Sequence, residues 1–204
     1  MNDLLRDIIE AGDVAVFIDD VMMGMEMKEG YNNIVEEVLR RMVENDLFVK
    51  PEKYVWKVRK VGFSKVVIRP DRVKMEKEKV QRIINWSVPR SVKDMQKFLG
   101  LAKYYRQFVK DFTSVAKPLH KITRKDVKWS WEERQWKVFE ELKESFMIKL
   151  VLITPNLNKE MRIDVDVSDF AIGGVLLMKC EDEKWRLVAY ISKLLNKAKR
   201  DFKI

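Results

Sequence analysis

The chain carries one cysteine, Cys180, and one histidine, His120. A lone thiol closes no intrachain disulfide, which fits a reducing compartment or indifference to redox. One residue of each kind also leaves too few ligands for a structural zinc and no set for a Cys/His nucleophile pair. Glycine and proline are scarce, at 7 and 5 of 204 residues, so collagen-like and low-complexity classes are excluded. No apolar run approaches the roughly 20 residues of a membrane-spanning helix, and no secretory leader opens the sequence. The expectation is an intracellular protein, cytoplasmic or nuclear, with no membrane partner.

What is present is a globular composition, 47% hydrophobic and 36% charged, with net charge +9. The charge is segregated. Residues 1–46 hold 4 Lys/Arg against 12 Asp/Glu, a net of −8. Residues 47–150 hold 27 against 12, a net of +15, and residues 151–204 hold 10 against 8. An acidic start can attract cations and a basic middle can attract a polyanion, although a solvated surface of uneven charge gives the same totals.

Hydrophobic spacing predicts a helix over "MNDLLRDIIEAG", ended by Gly12. "VAVFI" and "VMMGM" read as two short strands with Asp19 and Asp20 making the turn between them. "EGYNNIVEEVLRRMVENDL" aligns Ile34, Val35, Val38, Leu39, Met42 and Val43 on one helical stripe. Strands are expected at 54–58 ("YVWKV"), 61–68 ("VGFSKVVI") and 72–75 ("RVKM"), with "RPDR" as the last turn. From Glu76 the period becomes helical. A helix ends before Pro89, and Ser91 with Asp94 three residues on opens another by a capping-box pattern. That helix, about 91–110, places Met95, Phe98, Leu99, Leu101, Ala102, Tyr105, Phe108 and Val109 on one half of its circumference and Lys93, Lys97, Lys103, Arg106 and Lys110 on the other. Further helices are expected near 113–122 and 132–147, with Trp129, Trp131 and Trp136 in a core. After Pro155 the period returns to two. "MRIDVDVSD", "AIGGVLLM" and "KWRLVAYIS" read as strands, the last two joined by "CEDEK", and "LLNKAKRDFKI" begins a helical pattern. The order is α/β, then all-α, then β, an α+β chain with seams near 76 and 155.

Three features carry possible chemistry. A strand–Asp–Asp–strand hairpin fixes two hard-oxygen ligands of the kind magnesium takes, together with waters and phosphate oxygens; a plain solvated turn also favours aspartate. A row of Lys and Arg along a helix can track a phosphate backbone without reading sequence, or can be the wet side of an amphipathic helix. Asp164, Asp166 and Asp169 form a second acidic group. The first two share a strand face, as a metal site or as a solvated strand end.

In order, and at close to family spacing, "VFIDDVMMG", "VGFSKVVIRPDRVKME", "RSVKDMQKFLGLAKYYRQFVKDF", "AKPLHKITRK", "WSW", "VFEELKESF", "RIDVDVSDFAIGGVLL" and "LVAYISKLL" resemble the reverse transcriptase–ribonuclease H region of gypsy-type LTR retrotransposon Pol polyproteins. The resemblance spans essentially all 204 residues. It implies residues 1–75 as the later half of a polymerase palm, 76–154 as a helical thumb and connection, and 155–204 as the opening of a ribonuclease H-like sheet domain. "FIDD" resembles the YxDD box, so Asp19 and Asp20 correspond to its metal-side pair. Phe17 stands where the family usually has Tyr. "GFSKVVI" resembles the hairpin that grips the primer, implicating Phe63 and Lys65. The basic residues Lys97, Lys103, Arg106 and Lys110 correspond to a surface that holds the template–primer. "DVDVSD" resembles the TDAS stretch, so Asp166 corresponds to the first ribonuclease H carboxylate.

The resemblance further implies nucleotidyl transfer by two Mg²⁺ (or Mn²⁺) ions in the intact parent, with dNTP and an RNA–DNA or DNA duplex as partners alongside the rest of the polyprotein. Fingers, the palm strand bearing the first catalytic aspartate, and the later ribonuclease H carboxylates have no counterpart here. Asp13 is too close to the hairpin to replace the palm aspartate. Lys65 and Arg72 stand where relatives carry Gly, at positions expected to need positive φ. The expectation is a fragment inactive alone as a polymerase. A non-enzymatic nucleic-acid-binding remnant and a decayed reading frame without activity stand as alternatives.

Overall fold

The structure is a computed structural model that describes residues 1–24, 30–148, 151–168 and 171–195. It is a mixed α+β fold in two compact units, Met1–Ser64 and Lys65–Ile204.

In the first unit, helix α1 (Arg6–Glu10) ends at Gly12, whose φ of 88° suits a residue without Cβ. Strands β1 (Val14–Phe17) and β2 (Asp20–Met23) pair antiparallel with Val14 opposite Met23 and Phe17 opposite Asp20. Helix α2 (Tyr31–Glu44) lays Val38 and Met42 on Leu5, Ile8 and Val14 to make a small core. The expected stripe is narrower than its sequence suggests, because Val43 is exposed. Arg41 ties the two helices together. Its guanidinium donates to both Asp7 carboxylate oxygens, to Glu37 and to the Leu4 carbonyl.

The Arg41 hydrogen bond holds the Asp7 carboxyl down at about 2, and hydrogen bonds from Arg40 and then Arg41 do the same for Glu37. A carboxyl depressed in the folded state stabilises fully above its ordinary value, 3.8 for Asp7 and 4.5 for Glu37. That contribution is lost as pH falls through about 2. NMR carboxyl titration should find both midpoints near 2, and Arg41→Met should return Asp7 towards 3.8. An unchanged Asp7 midpoint in that variant would refute the assignment.

Residues 54–58 form no strand. A 3-10 turn at Pro51–Lys53 precedes an irregular stretch in which Val55, Trp56 and Val58 stay exposed. Strand propensity reflects packing against cross-strand neighbours, and the apolar side chains here that stay exposed have little such packing. Strand β3 (Val61–Phe63) closes the unit.

The second unit opens with hairpin β4 (Val66–Arg69) and β5 (Arg72–Met75), Arg69 opposite Arg72. Arg72 is ordinary strand, without the positive φ expected of a glycine position, whereas Lys65 has φ 61°. Helix α3 (Lys77–Ile84) and helix α4 (Val92–Tyr104) follow. The Ser91 hydroxyl accepts from the Asp94 N–H at 3.1 Å and caps α4. Ser91→Ala should cost about 1 kcal/mol, read as a lower denaturation midpoint; an unchanged midpoint would mean that water replaces the cap.

The expected helix over 91–110 breaks at Tyr105. A 3-10 turn, Arg106–Phe108, carries the chain on. The apolar half is buried as expected except for half-buried Leu101, and the five cations are exposed. The helix expected at 113–122 is two short ones, α5 (Phe112–Val115) and α6 (Lys117–Lys121), the second entered through Pro118 in its first turn. Helix α7 (Glu133–Met147) starts at a capping box formed by Glu132 and Gln135. Trp129 and Trp131 pack on the core, but Trp136 is 44% exposed and is not a core residue.

Strands β6 (Met161–Val167), β7 (Ala171–Lys179) and β8 (Trp185–Leu194) form an antiparallel sheet in that order, with a register shift at Leu176/Leu177. The expected C-terminal helical pattern begins at Leu194, which is the last residue of β8; residues 196–204 lie outside the described set. Bundle and sheet share one core. Leu187 of β8 packs against it, Leu152 bridges to Val73, and the Ile153 N–H donates to the Leu187 carbonyl. Among the described residues no helix is long and apolar enough to cross a membrane.

Candidate nucleic-acid interface and acidic positions

In the first unit the β1–β2 connection is two residues, Ile18 and Asp19, rather than Asp19 and Asp20; Asp20 is the first residue of β2, opposite Phe17. A two-residue hairpin needs positive φ to match strand twist. Here that burden falls on Ile18, at φ 59° and 78% exposed. A β-branched side chain in left-handed backbone is strained, and such strain concentrates at functional sites. Both aspartates and Phe17 are exposed at this tip. Phe63, at the end of β3, is half-buried in the same unit.

The two carboxylates suit the mode in which magnesium takes one or two protein oxygens and leaves the rest to waters and phosphates. Among the described residues, no group of three or more metal-ligating side chains occurs. The hairpin presents these two carboxylates alone.

In the second unit Lys97 and Lys103 lie on α4, Arg106 on the 3-10 turn after it, and Lys110 just beyond that turn. All four are exposed, and among the described residues no ion pair engages them. Lys65 joins this region by its backbone. The Tyr105 hydroxyl donates to the Lys65 carbonyl at 2.9 Å, and the Lys65 ammonium stands 4.7 Å from the centroid of the Tyr104 ring. Tyr105 is fully buried, and that burial raises its phenol above the ordinary value. Helical spacing assigns Tyr105 to the core but gives no sign of this bond, which joins residues 40 apart.

Asp166 stands exposed on β6, directly across from Gly173, which in turn lies across from Ser192. Opposed residues point to one face of a sheet. On that face the Thr113 N–H and hydroxyl meet the Ser192 hydroxyl at 3.2 and 2.8 Å. The Asp111 carboxylate lies so close over Gly173 that a Cβ there would stand 2.5 Å from its Oδ1. Asp111 is thus a second acid beside the Asp166 row, and nothing in its local sequence singles it out. Asp164 is engaged by Arg162 at 2.9 Å. Asp169 lies outside the described residues.

Residues 131–204 match the family described as the RNase H-like domain found in reverse transcriptase. Over all 204 residues the chain is 26% identical to the Transposon Tf2-3 polyprotein and 25% identical to the Transposon Tf2-7 polyprotein of Schizosaccharomyces pombe (strain 972 / ATCC 24843). It spans 15% of the length of each of these curated relatives. The chain is homologous over its full length to the Tf2 retrotransposon polyproteins, which are of the Ty3/gypsy type, and its residues 131–204 carry the match to the RNase H-like domain. Its fold matches the foamy viral protease-reverse transcriptase in complex with RNA/DNA hybrid, with TM-score 0.74, 22% identity, and 99% of this chain against 27% of that one. The foamy viral protease-reverse transcriptase dRH in complex with double-stranded DNA gives TM-score 0.76, at 22% identity, with 99% and 35% covered.

Proposed function

We propose that this chain is the duplex-holding part of an RNA-directed DNA polymerase, with residues 1–75 serving as partial palm, 76–154 as thumb and connection, and 155–204 as the opening of the ribonuclease H-like domain. The observation that carries the reading is the set Lys97, Lys103, Arg106 and Lys110: exposed, without carboxylate partners among the described residues, the first two on the well-packed helix α4 and the others on and just after the 3-10 turn that follows it. Such a set tracks a phosphate backbone without reading bases. Foamy viral relatives of the same fold are complexed with double-stranded DNA and RNA/DNA hybrid, which supports a duplex partner here.

Asp19 and Asp20 would hold magnesium or manganese at the hairpin tip, and Asp166 would hold it on the sheet. When bound, the ion supplies charge neutralisation at the phosphoryl group and activation of the attacking hydroxyl. The chain's own residues position. Phe17 presents an aromatic surface beside the acids, Phe63 in the first unit and Lys65 in the second are each assigned to the primer side, and the cationic set holds the duplex. dNTP is the substrate of the intact parent. With two carboxylates at one site and Asp166 at the other, the fragment alone should not extend a primer. Magnesium-dependent extension that disappears in Asp19→Asn/Asp20→Asn would overturn this.

The duplex reading is tested by fluorescence anisotropy with a labelled RNA–DNA hybrid across salt concentrations. Lys97→Glu with Arg106→Glu should weaken binding and flatten the slope of log K against log salt by nearly 2, about 0.9 for each phosphate no longer neutralised. An unchanged slope would remove these residues from the interface.

A further inference from the structure

We propose that residues 48–60 of the first unit form a separate binding strip for single-stranded nucleic acid, in which Trp56 stacks on a base and Lys50, Lys53, Lys57, Arg59 and Lys60 follow the phosphates. Five cations stand here against one acid, Glu52. All five are exposed, and among the described residues no ion pair engages any of them. The large apolar side chains between them are also exposed: Phe48 at 94%, Trp56 at 45%, and Val55 and Val58 as well.

A solvated basic run keeps its cations out and turns its aromatics in. Here the indole is out among the charges, braced edge-on by Tyr54 with ring centroids 5.2 Å apart. Neither Trp56 nor Phe48 belongs to the core of the unit. Apart from the turn at Pro51–Lys53 the stretch has no helix or strand up to Val61, so its backbone follows no regular ladder. An electropositive track interleaved with aromatic faces is the pattern that binds single strands without sequence preference, since every base offers a π-face. An acidic protein segment would meet the same charges but would draw nothing from the indole. The exposed ring therefore favours nucleic acid.

The proposal goes beyond the duplex-holding set, which uses other residues on the other unit. The test measures binding of a fluorescein-labelled thymidylate 20-mer to the full chain, with a glutamate 20-mer as the acidic-peptide probe. Trp56→Ala should weaken thymidylate binding about tenfold, while Trp56→Phe retains most of it and Lys97→Glu/Arg106→Glu leaves it intact. Lys57→Glu/Arg59→Glu/Lys60→Glu should abolish it. Trp56 lies outside the core, so the melting transition of Trp56→Ala should match the parent chain. If that variant fails to fold, quenching of indole emission in the parent chain by thymidylate, reduced in Trp56→Phe, decides the matter. Equal affinity for the two probes with no effect of Trp56→Ala would make the strip a charge-only or protein-docking surface and overturn the proposal. Thymidylate binding that is lost in Lys97→Glu/Arg106→Glu, but not in Trp56→Ala, would overturn it too. Loss of hybrid binding with thymidylate binding intact would fail the duplex reading alone.

Discussion

Phe139→Ala is expected to destabilise the second unit by about 3–5 kcal/mol, the range for truncating a buried aromatic. The ring is fully buried. Phe98 of α4 lies 4.7 Å from it, centroid to centroid, at a 54° tilt, and Trp131 meets it edge-on at 5.7 Å. The Lys143 ammonium sits 5.0 Å from the same centroid. Each aromatic pair adds about 0.5–1.5 kcal/mol to the area buried, so the alanine variant gives up ring packing on two sides and leaves a cavity between α4 and α7. Lys143 keeps its 3.1 Å bond to Glu140, so its charge is not stranded. Domains of this kind are stable by about 5–15 kcal/mol in total, and the loss is a large fraction of that. Urea unfolding followed by tryptophan emission should show a much lower midpoint at unchanged slope. Phe139→Leu should fall between variant and parent. A loss below about 1 kcal/mol for the alanine would mean that the bundle is loosely packed around this ring.

The same packing explains what is legible in the sequence. Helix periodicity places every buried residue of α4 correctly because that face meets one continuous core, and the opposing cations have nowhere to go but water. Periodicity does not show that the helix stops at Tyr105. The stop coincides with a hydrogen bond to Lys65, 40 residues earlier, and a local pattern holds no record of such a contact. Lys65 is legible for a different reason. The resemblance puts a glycine there, which takes left-handed backbone at little cost, and the φ of 61° appears on a lysine instead. Arg72 departs from the expectation because its neighbours permit ordinary strand pairing with Arg69. Residue type alone puts Trp136 inside, whereas Phe139, Leu142 and Phe146 make the buried face of α7 and Trp136 is 44% exposed.

At the candidate sites the hairpin itself is legible, but the division of labour within it is not. Apolar runs on either side of two aspartates fix a hairpin. They do not say that Ile18 rather than Asp20 takes the turn. Register decides that, and register depends on which side chains of α1 and α2 the hairpin must cover. Alternation places Asp166 on its strand. Its neighbour Asp111 is invisible to such patterns, because what brings it to the sheet is the docking of Thr113 on Ser192, 79 residues away.

That docking supports the second large effect. Gly173→Ala should destabilise the chain in the presence of Asp111 and cease to do so in its absence. Nothing about the Gly173 backbone demands glycine, since its φ lies outside the left-handed region. By itself, alanine at a compatible position stabilises by about 0.4–1 kcal/mol through the unfolded chain. Against this stands a Cβ placed 2.5 Å from Asp111 Oδ1. Overpacking of that kind costs about 1–3 kcal/mol, so the penalty exceeds the gain. The backbone of Asp111 has little room to yield, although its side chain is only partly buried. Its backbone is left-handed at φ 51°, and its carbonyl accepts from the N–H groups of both Ser114 and Val115. Relief must come from rotating the carboxylate away from the Asp166 row. Asp111→Gly removes the obstacle and suits the positive φ, so Gly173→Ala made in that background should be neutral or stabilising. The four chains of this double-mutant cycle should therefore show a sign change in the effect of Gly173→Ala on the melting temperature, with a coupling energy of about 1–3 kcal/mol. Each kcal/mol corresponds to about 2–4 °C in a unit of this size. An identical shift in both backgrounds would show that the Asp111 carboxylate does not sit over the strand, and the pairing of that acid with Asp166 on one face of the sheet would fall with it.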